Sequence, residues 1–272
     1  MKSKRYLFAI PLTICLIYLV ACASSSETVI KEETKEVPAA GKIQFDFAAG
    51  ASLPVVSPGQ KQAFAIKNFQ VGTGRNRMLI LGVHVEEKGG ENVSDMVIAG
   101  VTCGDRELTL MPGSEVELSE MWRGDEYFLK VALYYLINPP SGTHDITVTY
   151  AGPVRSGNAG AISLYNAQQT APVALVTNKQ KKQKKIITKI TTKNDGAWVV
   201  DIVGCGHKSR LHPKTKDHIR RFNTQETSGG KSSMVGGTLP VLKAGEVTLH
   251  WAQPLRTINR IGHMVVEIAP YR

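Results

Sequence analysis

Apolar and polar residues alternate most regularly between Tyr127 and Tyr150. Tyr127, Leu129, Val131, Leu133, Tyr135 and Ile137 recur at every second position, so one face of an extended segment is apolar throughout. After Asn138-Pro139-Pro140-Ser141-Gly142 the alternation resumes with Ile146, Val148 and Tyr150, while Thr143, Asp145, Thr147 and Thr149 take the opposite face. Two period-two runs around a short Pro/Gly loop predict a β-hairpin, because side chains alternate faces along a strand and proline ends ladder pairing.

The rest of the chain is built from similar short runs. Residues 78–85 (MLILGVHV) are apolar on both faces and predict a central strand; 43–48 and 63–69 predict edge strands. Further strands are expected over 96–103, 107–111, 160–165, 186–192, 197–203, 247–251 and 264–268. The 25 glycines and 13 prolines punctuate these runs, and no segment carries a helical period beyond a turn or two. The expectation is an all-β fold, an antiparallel two-sheet β-sandwich. The lysine-rich stretch 179–195 could divide two domains, but the strands beyond it need a partner sheet for the Trp198 and Trp251 faces. One domain over 42–272 is therefore expected.

The amino-terminal segment differs in kind. Lys2, Lys4 and Arg5 precede an apolar run from Tyr6 to Val20 that is short for a spanning helix, and small residues follow. The tetrapeptide Leu19-Val20-Ala21-Cys22 resembles the lipobox of bacterial lipoproteins. That resemblance implies a signal peptide over 1–21, cleavage before Cys22 and acylation of Cys22, with the membrane as a partner through the lipid. Ala23 in place of Asp implies, in a Gram-negative host, sorting to the outer membrane. Residues 22–41, rich in Ser, Glu and Lys without an apolar period, read as a flexible tether.

Several pieces of the folded part, RMLILGVHVE, VIAGVTCGDRELTLM, LYYLINPPSGTHDITVTY, GAISLYNAQQTAP, GAWVVDIVGCG and AGEVTLHW, resemble in their order a jelly-roll-like sandwich module of bacterial secreted and surface proteins. The resemblance implies the fold and brings no catalytic residues.

Candidate chemistry is sparse. Cys103 and Cys205 are an even pair in a chain with an export signal, which makes a disulfide between them a candidate beside two buried thiols. The run Glu115-Val116-Glu117-Leu118-Ser119-Glu120 resembles the ExDxxE signature of jelly-roll glucanases, with Glu117 where that family has Asp; Glu115 and Glu120 are its candidate acid pair. No nucleophile elbow, HExxH or P-loop occurs. Cys205, His207, His212 and His218 lack zinc-ligand spacing and stand among cations, so no metal or cofactor is expected. Trp198 and Trp251 lie in phase with apolar neighbours and belong to a core, whereas Trp122 beside Arg123-Gly124-Asp125 is the one aromatic expected to be exposed.

Charge is the strongest remaining signal. The chain carries a net +10, and between Lys179 and Arg221 thirteen Lys and Arg face only Asp195, Asp201 and Asp217. Lys179, Lys181, Lys182, Lys184 and Lys185 form one basic stretch; Lys208, Arg210, Lys214, Lys216, Arg220 and Arg221 form a second. Gathered together they would attract an anionic polysaccharide or lipid head groups; apart they are solvated loops that aid solubility. Nucleic acid is disfavoured, because no aromatic is interleaved with the lysines for base stacking. The expected role is a non-enzymatic envelope lipoprotein that binds an anionic polymer or surface partner. A jelly-roll carbohydrate-active enzyme and a structural subunit of an envelope assembly are the alternatives.

The lipobox assignment predicts that Cys22→Ala abolishes lipid incorporation, since only the thiol can form the thioether. Metabolic labelling with radioactive palmitate checks this, and label retained in the variant overturns the assignment.

Overall fold

The computed structural model describes residues 41–53, 63–89, 96–152, 154–226, 232–253 and 257–272, all within one compact unit, Pro38–Arg272. Residues 1–40, on which the expected signal peptide, Cys22 and nearly all of the expected tether fall, lie outside the described residues. Every regular element described is a strand, and every ladder is antiparallel. The all-β antiparallel sandwich expected from the sequence is present, and it is four sheets deep where two were expected.

Sheet 1 has the order β2 (Ala63–Val71), β9 (Gly142–Tyr150), β4 (Ile98–Cys103), β5 (Arg106–Glu107). Sheet 2 runs β1 (Gln44–Ser52), β10 (Ser156–Tyr165), β3 (Met78–Lys88), β8 (Asp125–Ile137), β6 (Thr109–Leu110), with β7 (Val116–Trp122) also on the free edge of β8. Sheet 3 is β11 (Ala174–Gln183), β18 (Ile258–Ile268), β13 (Trp198–Cys205), β16 (Ser233–Pro240), β15 (Ile219–Gln225). Sheet 4 is β12 (Lys185–Thr192), β17 (Gly245–Ala252), β14 (His212–Pro213).

The number of layers follows from which strands are apolar on both faces. In β3, Leu79, Leu81, Val83 and Val85 pack toward sheet 1, while Met78 and Ile80 pack toward sheet 3. In β8, Ala132, Tyr134 and Leu136 face sheet 1; Leu129, Val131 and Leu133 face sheet 3. Strands β13 and β18 are likewise buried on both sides, with Val200, Ile202, Met264 and Val266 toward sheet 2 and Val199, Val203 and Val265 toward sheet 4. Such strands need a neighbour on each side. One-sided strands, such as β9 and β12 with their Thr and Lys faces, form the outer sheets.

This arrangement corrects the hairpin. Both of its arms are strands, and Ile146, Val148 and Tyr150 do face inward as expected, but β8 and β9 do not pair. The chain crosses from sheet 2 to sheet 1 through 138–142 and forms an arch. Asn138 (φ 47°) and Gly142 (φ 112°) take the left-handed backbone that re-aims the chain, and Pro139 and Pro140 offer no N–H for a ladder. Side by side in one sheet, the two-faced β8 and the one-faced β9 would expose apolar surface or bury threonines and Asp145.

Sheets 2 and 3 approach closely because glycines interrupt both facing surfaces. Gly82 and Gly160 of sheet 2 leave room for Ile202 and Phe222; Gly204 and Gly262 of sheet 3 receive Val131, and Gly236, the cross-strand partner of Phe222 within sheet 3, leaves room for that ring. A Cβ added at Gly204 would lie 2.6 Å from Val131 Cγ2. One end of this interlayer is polar. Arg260 Nη2 donates to Glu86 Oε2 over 3.0 Å, and Asn158 Nδ2 donates to Ser232 Oγ over 2.7 Å. Burial, and then the nearby Arg260 charge, push the pKa of His84 down to about 3, so its imidazole is neutral at any ordinary pH.

The disulfide is not formed. Cys103 lies in the core between sheets 1 and 2, and Cys205 in the core between sheets 3 and 4, both as free buried thiols. Two whole layers stand between those cores. Burial pushes the Cys103 thiol up to about 11 and the Cys205 thiol up to about 12, so both are protonated small hydrophobes.

Leu133→Ala, fully buried between sheets 2 and 3, is expected to destabilise by about 2–5 kcal/mol through lost transfer energy and a cavity. Thr147→Ala on the outer face of sheet 1 is expected to change stability by no more than about 0.5 kcal/mol. Urea denaturation of both variants checks the assignment of faces, since equal losses would contradict it.

Candidate basic site on sheet 4

The connection from β11 to β12 is a second crossing, this time from sheet 3 to sheet 4. Both strands are sheet edges, which is where lysines also serve to block edge-to-edge pairing. The second basic stretch enters from the opposite side, with β14 as the far edge of sheet 4 and β15 as the far edge of sheet 3. Sheet 4 is only three strands wide, so the two stretches meet across β17. Lys185 pairs with Ala252, and Ala252 pairs with His212. That places Lys185 and His212 two strand spacings apart, about 10 Å, on one face.

Backbone and amide contacts fix this convergence. Gln253 N donates to the Lys184 carbonyl over 2.9 Å, and Gln253 Oε1 accepts from Arg210 N over 3.2 Å. Lys214 N donates to the His250 carbonyl over 2.8 Å, and Thr215 Oγ1 donates to the Thr248 carbonyl over 2.9 Å. Strand β17 thus holds Lys184 and Lys185 on one side and Arg210, His212 and Lys214 on the other.

The electrostatics of two histidines register the result. His250 is lowered from its ordinary value by burial and by the charges of Lys185 and Lys214, one from each stretch. His212 is lowered by burial and by Arg220, Lys214 and Arg210. Among the described residues no carboxylate lies within ion-pair distance of Arg210, His212, Lys214, Arg220, Lys184 or Lys185. Positive charge gathers here with no carboxylate partner among the described residues. Beside it, Arg210, His212, Arg220, Asn223 and Gln225 line a cleft of about 520 Å³.

Other residues of the two stretches go elsewhere. Lys182 Nζ pairs with Glu120 Oε1 at 3.3 Å, and Lys179 Nζ donates to the Glu117 carbonyl, so both tie β11 to β7 of sheet 2. Arg221 lies over the Phe45 ring at 3.8 Å and donates to Thr238 Oγ1, turned toward sheet 2 by a bulge in β15. Lys181 and Lys216 are exposed, and Lys208 is half-buried.

The glutamate run does not assemble. Glu115 and Glu117 both pair with Lys130 Nζ, at 2.7 and 3.2 Å, on the exposed face next to β8. Glu120 is five residues from Glu115, an odd interval, so it projects from the other face of the strand, where it is buried. Trp251 is fully buried and Trp198 half-buried against the core, as expected; the side chain of Trp122 lies outside the described residues.

Asp201 has a structural role that charge counting missed. Wholly buried between sheets 3 and 4, it accepts from His218 Nε2 at 2.9 Å, from His263 Nε2 at 3.0 Å and from Trp251 Nε1. His263 Nδ1 in turn meets Thr188 Oγ1 at 2.8 Å. This network separates two apolar clusters, one around Trp251 and Ile186 and the other around Leu249 and Ile190. Burial alone would raise the Asp201 pKa, but the His218 and His263 interactions outweigh it and hold the carboxyl well below its ordinary value. The sequence signal was there: an Asp at an inward position of an otherwise apolar strand.

Compared with known family models, with curated proteins and with solved structures, the chain matches none.

Asp201→Asn turns an acceptor that holds three N–H groups into a partial donor, and is expected to destabilise by about 3–5 kcal/mol. The folded-state pKa of Asp201 is depressed, so its stabilisation is complete above the unfolded value near pH 4 and is lost as pH falls below it. Urea titrations from pH 7 to 3 should show a shallower acid-induced decline in the variant than in the wild type.

Proposed function

We propose that this chain is a lipid-anchored envelope protein whose β-sandwich binds an anionic polymer on the outer face of sheet 4. The observation that supports it most is the meeting of Lys184 and Lys185 with Arg210, His212 and Lys214, remote in sequence, around β17, with no carboxylate among the described residues within ion-pair distance of these five. Held apart, each would be a solvated edge. Held about 10 Å apart on a rigid sheet, Lys185 and His212, with Lys184, Lys214 and Arg210 beside them, form a surface that draws in and retains a chain of like negative charges. The lipobox resemblance supports placement at a membrane, where acidic polysaccharide and phosphate-bearing lipid are the available polyanions. Among the described residues no helix is long and apolar enough to cross a membrane.

Lys184→Gln, Lys185→Gln and Lys214→Gln combined should elute from heparin at clearly lower salt than the wild type, with an unchanged melting curve. Wild-type retention should collapse by about 0.5 M salt, since counterion release drives such binding. Lys67→Gln, on sheet 1, is the control. Retention unchanged by the triple substitution, or indifferent to salt, would overturn the proposal.

A further inference from the structure

The cleft beside sheet 4 differs in chemistry from the open lysine face. Its lining brings together Arg210 from the 206–211 loop, His212 on β14, and Arg220, Asn223 and Gln225 on β15. About 520 Å³ is the size of a small-molecule site and is more than a surface ion pair requires. Arg220 Nη1 donates to the Leu211 carbonyl over 2.9 Å, which fixes the guanidinium and leaves its other N–H groups available. No carboxylate among the described residues pairs with Arg210, Arg220 or His212. The two carboxamides add a different capacity. Gln225 spends its Nε2 on the Ser209 carbonyl at 2.9 Å, which leaves its Oε1 as an acceptor. The Asn223 side chain bonds to no other described residue and offers both a donor and an acceptor.

We propose that this cleft is a subsite for a sugar-borne phosphate monoester, with Arg210, Arg220 and His212 on the phosphate and Asn223 and Gln225 on the sugar hydroxyls. The inference rests on the anionic-polymer reading and deepens it, by naming a charged group that the polymer or its terminus would carry. A carboxylate brings one charge and two oxygens, which a single guanidinium fork satisfies. Two guanidiniums and an imidazole together match a group with three oxygens and close to two negative charges. The histidine adds a consequence. Burial, and then the charges of Arg220, Lys214 and Arg210, favour its neutral form, and a bound dianion would oppose that bias, so phosphate binding and His212 protonation reinforce each other.

The test uses the full-length chain purified in detergent, titrated with glucose 6-phosphate, glucuronate and inorganic phosphate, and mixed with phosphatidylcholine vesicles with and without phosphatidic acid. Glucose 6-phosphate is expected to bind at least about tenfold more tightly than glucuronate and more tightly than inorganic phosphate. Arg210→Gln and Arg220→Gln should each weaken it by about tenfold or more, with melting curves unchanged. Lys67→Gln should have no effect. By proton NMR, the His212 imidazole should titrate at higher pH when glucose 6-phosphate is saturating. Equal affinity for glucuronate, or arginine variants that bind normally, would overturn the subsite. Binding to phosphatidic acid vesicles without binding to glucose 6-phosphate would overturn its assignment to a sugar. Heparin retention separates the two levels: if it survives while sugar phosphate fails to bind, the subsite falls and the polymer reading stands. If sugar phosphate binds and heparin does not, the polymer reading falls instead.

Discussion

The contact between the two interior sheets governs the rest of the molecule. Strands β3, β8, β13 and β18 are apolar on both faces, so sheets 2 and 3 must lie against each other while each still presents a second face to an outer sheet. Stacked sheets normally stand about 10 Å apart, with side chains filling the gap from both sides. Here Ile202, Phe222 and Val131 project into places that Gly82, Gly160, Gly204 and Gly262 leave open. Filling any of those places would force the inner layers apart and disturb the outer layers packed on them. The polar end of the same interlayer, with Arg260 on Glu86, adds direction to what is otherwise non-directional burial.

Much of this was legible from the chain. The period-two runs mark the strands, and the apolar-on-both-faces run 78–85 marks an interior strand between two neighbours, as β3 proves to be between β10 and β8. What local pattern could not supply was the identity of the partners. A strand followed by Pro-Pro-Ser-Gly and another strand fits a hairpin and an arch equally well; only the unlike burial of the two arms separates the cases. The choice between a disulfide and two buried thiols was open in the sequence for the same reason, and the thiols are free. Cys103 and Cys205 each end a strand before a glycine, and nothing local reports that those strands belong to different cores.

The basic stretches illustrate the same limit from the side of function. Their charge was plain in the sequence, but whether they gather depends on the narrowness of sheet 4, which is a property of pairing. The cleft was less legible still, since Asn223 and Gln225 carry no charge and sit in an unremarkable strand. Asp201 shows the reverse case. Counted as one acid among many cations, it is instead the acceptor at the centre of a buried network.

The arches at 138–142 and between β11 and β12 have a kinetic meaning. Because the chain leaves a sheet where a hairpin would have stayed, most ladders join segments distant in sequence: β1 with β10, β3 with β10, β11 with β18. Each such pairing must close a long loop before any contact compensates the lost chain entropy. Strand β18, at the carboxyl end, is a central strand of sheet 3, so the inner layers cannot be completed until nearly all of the chain has been made. A topology dominated by such non-local pairings closes late and slowly, because its interior strands wait for partners made far along the chain.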